Sequence, residues 1–499
     1  MAAAKGRLSG TGVAYGCAAL LMLAFFWGYL DLNRVQTTLY ERLCASAAMI
    51  VMIAATPVFL RLPGNRCRAF FTGHETRSLL LLLGFAIVPR LIWTLAIPPR
   101  IESDYALYVR MATTFAETGK PEIDPYMLSV ATGSVPYSVL TGLVMRVFGT
   151  GAGTLVWMAE VLHVCNILLL YLLGRNMTNA PRAFFAAAAF ARLPENICYS
   201  NLPGVEAPAL FTLLAGLIPV IRARKLSGRH TMLPCFLGGT ALVFSACIRP
   251  SAWAALAASA ILILTDSGDK RNASALSARV ISLLALTLGA ALMFGGYRAL
   301  QSHLFADGRP ASGIGWSVYE GLDLESGGKW TEEKSARMAE VISTCSPAEA
   351  EKVFLTEGLT RYRGYSFGEK VRLFLRKGGS MWYESMYALF SAEYSLEEDR
   401  LTAWCSGSWW LCLAAFVFSL FHRASPLPPG AVRRAAAMPL IIILLTVMWH
   451  EIGTSIGRYH YMLIPFVLLS AAILLPGKRE LQQAWNTGKT GQRFRPAGN

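Results

Sequence analysis

Hydrophobic residues in this chain fall in runs rather than at helical or strand spacing. Val13–Leu30, Leu43–Leu60, Leu79–Ile97, Leu401–Phe421 and Met438–Trp449 are examples. A helix that crosses a bilayer needs roughly 20 mostly apolar residues, and most of these runs approach that length. Further runs cover Gly151–Leu173, Ala183–Tyr199, Val205–Ile221, Met232–Ile248, Ser251–Leu264, Val280–Leu300 and Tyr459–Leu475. Tyr105–Thr118 is short and amphipathic and reads as a surface helix. Gly133–Gly149 is apolar but interrupted and reads as re-entrant or interfacial.

The polar breaks give direction. If the N-terminus is cytoplasmic, each loop that returns inside is basic: Arg61, Arg66, Arg68 and Arg77; Arg175 and Arg182; Arg222, Arg224, Lys225 and Arg229; Lys270, Arg271 and Arg279; Arg423, Arg433 and Arg434; and a tail with Lys478, Arg479, Lys489, Arg493 and Arg495. Cytoplasmic loops are enriched in this way. The expected fold class is an all-α polytopic membrane protein with roughly twelve transmembrane helices, interfacial helices and a small, mostly helical extracytoplasmic cap. Both termini are then cytoplasmic. The expected units are an N-terminal hairpin over 1–78, a transmembrane core over 79–300 with its first outer loop at 98–132, the cap region over 301–400, and C-terminal helices with a basic tail over 401–499.

Composition fits that picture. The chain is 54% hydrophobic and only 15% charged, against about 25% charged in soluble domains. The net charge of +15 would suggest a nucleic-acid partner in a soluble protein. Collected in particular short loops, it reads instead as a topology signal, with the lipid bilayer as partner and no nucleic acid. The first run follows Lys5 and Arg7 with no small-residue cleavage site and is expected to stay as a helix. The 10 cysteines form no C-x-x-C pair, which gives no zinc or redox motif.

In the long polar stretch 301–380, Ser346-Pro347-Ala348-Glu349 and Ser366-Phe367-Gly368-Glu369 both fit a capping box. The second helix is expected to stop at Gly378-Gly379. The same topology gathers Glu102, Asp104, Glu206, Arg249, His450, Glu451 and Arg458 at the outer face. A carboxylate there can take a proton from a hydroxyl, and arginines can hold a phosphate by bidentate hydrogen bonds. Arg90 lies inside a hydrophobic run, where a charge is costly. Plainer readings stand beside each: a solvated carboxylate at a helix end, a helix break at Arg249-Pro250, a snorkelling Arg458, and interfacial anchors for Tyr and Trp. His450 has no second histidine at metal spacing.

The stretch Ile101-Glu102-Ser103-Asp104-Tyr105-Ala106-Leu107-Tyr108, with Met111-Ala112 and Gly119, resembles the first outer loop of the C superfamily of glycosyltransferases. These are membrane enzymes that use polyprenyl-phosphate sugars, related to the dolichyl-phosphate-mannose protein mannosyltransferases. The likeness extends through Asp124-Pro125-Tyr126, Pro136-Tyr137, Phe148-Gly149, Tyr199-Ser200, Glu206, Arg249-Pro250 and Arg458-Tyr459. Gly315 to Leu322 and Gly328-Lys329-Trp330 resemble a segment of bacterial members. The family more often has one helix before this loop, and here a further hairpin of two helices precedes it.

The resemblance implies transfer of a sugar from a polyprenyl-phosphate donor to an acceptor hydroxyl outside the cytoplasm, on a polysaccharide, lipid or protein. It implies Asp104 as catalytic base, with Glu102 the second match. Arg249, Arg458 and Arg90 are the expected phosphate ligands. Tyr105, Tyr137, Trp316, Tyr319 and Tyr459 are expected at the substrate, joined by Glu206 and His450 from the outer-face group. A polyprenyl phosphate leaves readily as an anion, so no metal or other cofactor is expected to be essential. Rival readings are a transporter or flippase of lipid-linked sugars, which intramembrane charges such as Arg90 and Glu160 would also serve; a polysaccharide polymerase or ligase; and an assembly scaffold.

Overall fold

A computed structural model describes residues 75–122, 134–226, 228–265, 273–305, 313–383, 398–421, 431–455 and 457–474. The expected crossings Val13–Leu30 and Leu43–Leu60, Asp124-Pro125-Tyr126 and the basic tail lie outside them.

The described residues form helices and no strand ladder. The order is α1 (Glu75–Ala96), α2 (Ser103–Thr118), α3 (Ser134–Phe148), α4 (Ala152–Met177), α5 (Ala180–Arg192), α6 (Pro194–Cys198), α7 (Glu206–Ala223), α8 (Met232–Ile248), α9 (Trp253–Thr265) and α10 (Ala273–Leu304). The outer unit, named for its expected side of the membrane, follows: α11 (Ile314–Gly321), α12 (Glu332–Thr344), α13 (Pro347–Gly364) and α14 (Phe367–Tyr383). The chain closes with α15 (Glu398–Phe421), α16 (Ala431–Ile452) and α17 (Ile464–Leu474).

Thr76–Ala96, Ala152–Met177, Glu206–Ala223, Gly228–Ile248 and Leu276–Leu304 are long and apolar enough to cross a membrane. Shorter apolar helices accompany them, among them Ser134–Phe148, Pro250–Thr265 and Ile464–Leu474. The described residues therefore supply five of the roughly twelve crossings expected from length and apolarity. The interrupted stretch before Gly149 is one continuous helix, α3, of 15 residues. At 1.5 Å per residue it covers only about 22 Å.

One expected crossing, Ala183–Tyr199, is two pieces. Leu193 takes an extended conformation, with φ −63° and ψ 120°, because Pro194 disfavours a helical residue before it and cannot donate to the helix ladder. Arg90 fills the break. Its Nη1 donates to the carbonyls of Ala86 and Ala191 at 2.9 Å, and Nη2 reaches Asn196 O at 3.5 Å. The guanidinium thus reaches from α1 to the Ala191 and Asn196 carbonyls that the broken helix leaves free.

Small residues set the closest crossing. A Cβ on Gly239 of α8 would lie 2.1 Å from Leu286 O of α10, and one on Gly289 would lie 2.1 Å from Phe236 O. Only glycine lets these two backbones meet, as membrane helix pairs without a hydrophobic drive require.

Both expected capping boxes form. Ser346 N–H donates to the Glu349 carboxylate at 2.9 Å, and Ser366 N–H to Glu369 at 2.7 Å. Helix α14 does not stop at Gly378-Gly379. Both glycines are buried and the helix runs on to Tyr383, because packing beneath the C-terminal turn of α16 overrides their low helix propensity.

Candidate functional site

Two acids and one base sit at helix ends that suit their charge. Asp104 lies in the first turn of α2 and Glu206 is the first residue of α7. Helix N-termini carry partial positive charge. Arg249 is the C-cap of α8, with φ −132° and ψ 106°, where partial negative charge favours a cation. Pro250 follows and opens a short 3-10 turn, Pro250–Ala252. Arg458 comes from a second 3-10 turn, Gly457–Met462, between α16 and α17.

These four side chains form one row. Arg458 Nη2 lies 3.0 Å from Asp104 Oδ2, and Arg458 Nε lies 3.3 Å from Glu206 Oε1. Glu206 also pairs with Arg249. The Arg249 guanidinium sits over the Tyr459 ring at 5.4 Å, and Tyr459 stacks on His450 at 4.6 Å. Burial opposes charge on Arg458, but Glu206 and Asp104 overcome it and hold the guanidinium protonated beyond its usual value. Arg249 follows the same pattern: burial, the largest influence, opposes its charge, but Glu206 with Tyr108 and Tyr459 raises it above its usual value. The Asp104 side chain is 30% exposed and that of Arg458 only 7%. Asp104 is therefore the accessible end of the row.

Aromatic side chains wall it. Tyr105 and Tyr108 meet edge to face at 6.5 Å, and Tyr108 meets Tyr137 at 5.3 Å. Burial pushes the hydroxyls of Tyr105 and Tyr108 well above the ordinary tyrosine value, so they remain neutral. Ser103, next to Asp104, has φ 51°, the one non-glycine residue with positive φ among those described. That conformation costs roughly 1–2 kcal/mol, and such outliers gather at functional sites.

The structure thus brings together Asp104, Arg458, Glu206, Arg249, Tyr459, His450, Tyr105 and Tyr137. It sets others apart. Glu102 is half exposed, pairs with Arg100 and precedes α2 as its N-cap. Arg90 is fully buried on backbone carbonyls. Trp316 and Tyr319 pack with Phe354 in the core of the outer unit, and Arg361 covers the Tyr319 ring at 4.7 Å.

Sequence reasoning did not single out Tyr108, although it stands four residues from Asp104 and so shares its helix face. It also missed Glu320. This buried carboxyl accepts a hydrogen bond from Thr454 Oγ1 at 2.6 Å. Burial, with a contribution from Asp104, raises it to about 7. Nothing in its spacing marks it. Among the described residues no three His, Cys, Asp or Glu side chains gather as a metal site.

No protein-family model matches the chain, and no curated protein matches it. Solved structures similar to it include the archaeal oligosaccharyltransferase AglB from Archaeoglobus fulgidus, in complex with an inhibitory peptide and a dolichol-phosphate. That pair is 14% identical, with 85% of this chain and 53% of that one covered and a TM-score of 0.43. The same oligosaccharyltransferase with zinc and sulfate is 13% identical, with coverage of 83% and 50% and a TM-score of 0.46. ArnT from Cupriavidus metallidurans, bound to undecaprenyl phosphate, is 11% identical, with coverage of 85% and 82% and a TM-score of 0.33. The chain spans about half the length of the archaeal oligosaccharyltransferase. Likeness at these scores assigns no activity.

Proposed function

We propose that this protein is a membrane glycosyltransferase that moves a sugar from a polyprenyl-phosphate donor to an acceptor hydroxyl. The observation that carries the reading is the row Asp104–Arg458–Glu206–Arg249, built from four separate segments at one end of an apolar bundle. At one end of the row stands the accessible Asp104 carboxylate, and behind it Arg458 and Arg249 flank Glu206. An inverting displacement needs both.

Asp104 takes the proton from the acceptor hydroxyl as that oxygen attacks the anomeric carbon. The bond from that carbon to the phosphate oxygen breaks, and the electron pair leaves with the polyprenyl phosphate. Arg458 and Arg249 stand where charge develops on the leaving oxygen, in a site with little water to screen them. Glu206 holds both arginines side by side and keeps them protonated. The tyrosines Tyr105 and Tyr137 offer neutral surface for a sugar ring, with Tyr459 and His450 stacked behind Arg249.

The basic loops support the proposed side. Helix α7 starts at Glu206 and carries Arg222 in its last turn, about 24 Å away along the axis. Under the positive-inside rule the Arg222 end is cytoplasmic. The Asp104 row then faces the opposite side of the cell membrane, and both termini lie in the cytoplasm.

The test uses purified protein in nanodiscs with polyprenyl-phosphate monosaccharides. Sugar should appear on an acceptor, and Asp104→Asn should lower the rate about a thousandfold with the thermal midpoint unchanged. Undiminished turnover by Asp104→Asn removes the mechanism. Passage of intact sugar lipid across the bilayer, with no bond cleaved, identifies a flippase instead.

A further inference from the structure

Arg458 stands on the connection between α16 and α17, and that connection is fastened to the outer helical unit almost residue by residue. Lys377 of α14 is fully buried, and its Nζ donates to the carbonyls of Glu451 and Gly453, both at 2.7 Å. The first is a C-terminal carbonyl of α16 and the second lies just past its end, so neither has a partner within that helix. Thr454 donates to Glu320. Ser455 donates through its hydroxyl to the carbonyl of Lys377 at 2.9 Å and through its N–H to Gly328 O at 3.2 Å. Beyond Arg458, His460 Nδ1 donates to Met381 O at 2.8 Å. Backbones touch as well: a Cβ on Gly321 would lie 2.2 Å from Gly453.

We propose that Lys377 is a positioning residue for Arg458: it locks the turn from Glu451 to Arg458 onto the outer unit, so that Arg458 meets Asp104 and Glu206 at the distances a transfer step needs. This role rests on the transfer reaction proposed above. Lys377 is suited to it because one ammonium can bridge two carbonyls, as cations do at helix C-termini. Glu451, Glu320 and Lys334 are its charged neighbours, and burial lowers its amine to about 7. Charged or neutral, the amine keeps enough N–H groups for both carbonyls.

The physical consequence is a division of labour. The surface helix α2 supplies Asp104, and the ends of α7 and α8 supply Glu206 and Arg249. The outer unit supplies no side chain of the row but fixes the turn that carries the fourth member. A reacting geometry that drifts by about 1 Å can lose on the order of a hundredfold in rate.

The experiment compares wild type, Lys377→Met, Lys377→Gln, Arg458→Gln and the Lys377→Gln/Arg458→Gln double variant, each as the full chain in nanodiscs. Hydrogen exchange is followed over 453–460 and over the first turn of α2, and kcat is separated from the KM for donor. Faster exchange in both segments, with the spanning helices unchanged, is expected for either Lys377 variant. A fall in kcat of up to about a hundredfold with donor KM unchanged should accompany it. The double variant should be no slower than Arg458→Gln alone, since coupled residues are not additive. Multiplied losses in the double variant, or unchanged exchange at 453–460, overturn the proposal. If Lys377→Met fails to fold, Lys377→Gln, which keeps a donor group, carries the comparison. Absence of transfer by wild type sinks the proposed function alone. Exchange then still decides whether Lys377 acts through Arg458 on the start of α2.

Discussion

Two buried groups of charges occupy this bundle, and they are built differently. The row Asp104–Arg458–Glu206–Arg249 pairs charge with charge, and one end of it is accessible. The second group lies within the bundle. Arg90 there is held by neutral carbonyls, Glu160 by Thr94 and Ser200, His163 by Asn196 and Tyr461, and His460 by Glu195 and Met381. In this second group polar atoms are answered by fixed protein atoms at a break in the helices. A buried charge is costly in either place. The partners differ in kind: neutral carbonyls hold Arg90 as a piece of scaffold, whereas carboxylates hold Arg458 and Arg249, with Asp104 partly exposed and Glu206 buried.

The sharpest way to break that contrast is to remove one arginine from each group. Arg458→Gln should cost roughly a thousandfold in transfer while the protein still folds. Arg90→Met should cost about 3 kcal/mol of stability, read as a lower thermal midpoint and yield, with transfer per folded molecule retained. An Arg90→Met protein that melts normally yet cannot transfer sugar would return Arg90 to the phosphate site that its sequence position suggested.

Glu320 stands where the row meets the outer unit, and its titration tells which region it serves. Burial raises its carboxyl from 4.5 to about 7. The folded protein therefore keeps a proton that the unfolded chain releases. Stability from this group is full below about 4.5 and is lost as pH rises through about 7. The thermal midpoint should fall across that window, by an amount worth on the order of 3 kcal/mol, and Glu320→Gln should flatten the slope. Lys377, lowered to about 7, acts on the alkaline side, and comparison with Glu320→Gln separates Glu320 from the other buried acids and histidines that titrate in the acidic window. An unchanged slope in Glu320→Gln would assign the dependence to another group. The smallest effect is expected at Ser103. Ser103→Gly relieves a positive φ and should raise stability by about 0.5–1 kcal/mol while loosening Asp104, so that transfer drops slightly. A destabilised glycine variant would mean that the Ser103 conformation carries no strain.

Much of the site was legible in the sequence because a membrane restricts topology. Alternating basic loops fix which helix ends share a face, and that placed Asp104, Glu206, Arg249, His450 and Arg458 together before any coordinates. The capping boxes at Ser346 and Ser366 were readable for a local reason, since both partners lie within one helical turn. Glu102 was less legible. Two residues from Asp104, it caps α2 and pairs with Arg100 rather than entering the row. Trp316 and Tyr319 were placed at the substrate by resemblance, and the structure packs them in a core around Phe354.

The sequence by itself determined the helical class and grouped the helix ends that meet in the row, because hydrophobic run length and loop charge are one-dimensional quantities. Only the tertiary structure decided which charges touch. It turned Arg90 into the filling of a helix break, carried α14 past two glycines, and tied the Arg458 turn to Lys377 across 74 and 76 positions of chain. Contacts that distant depend on packing in three dimensions, and no spacing rule along the chain encodes them.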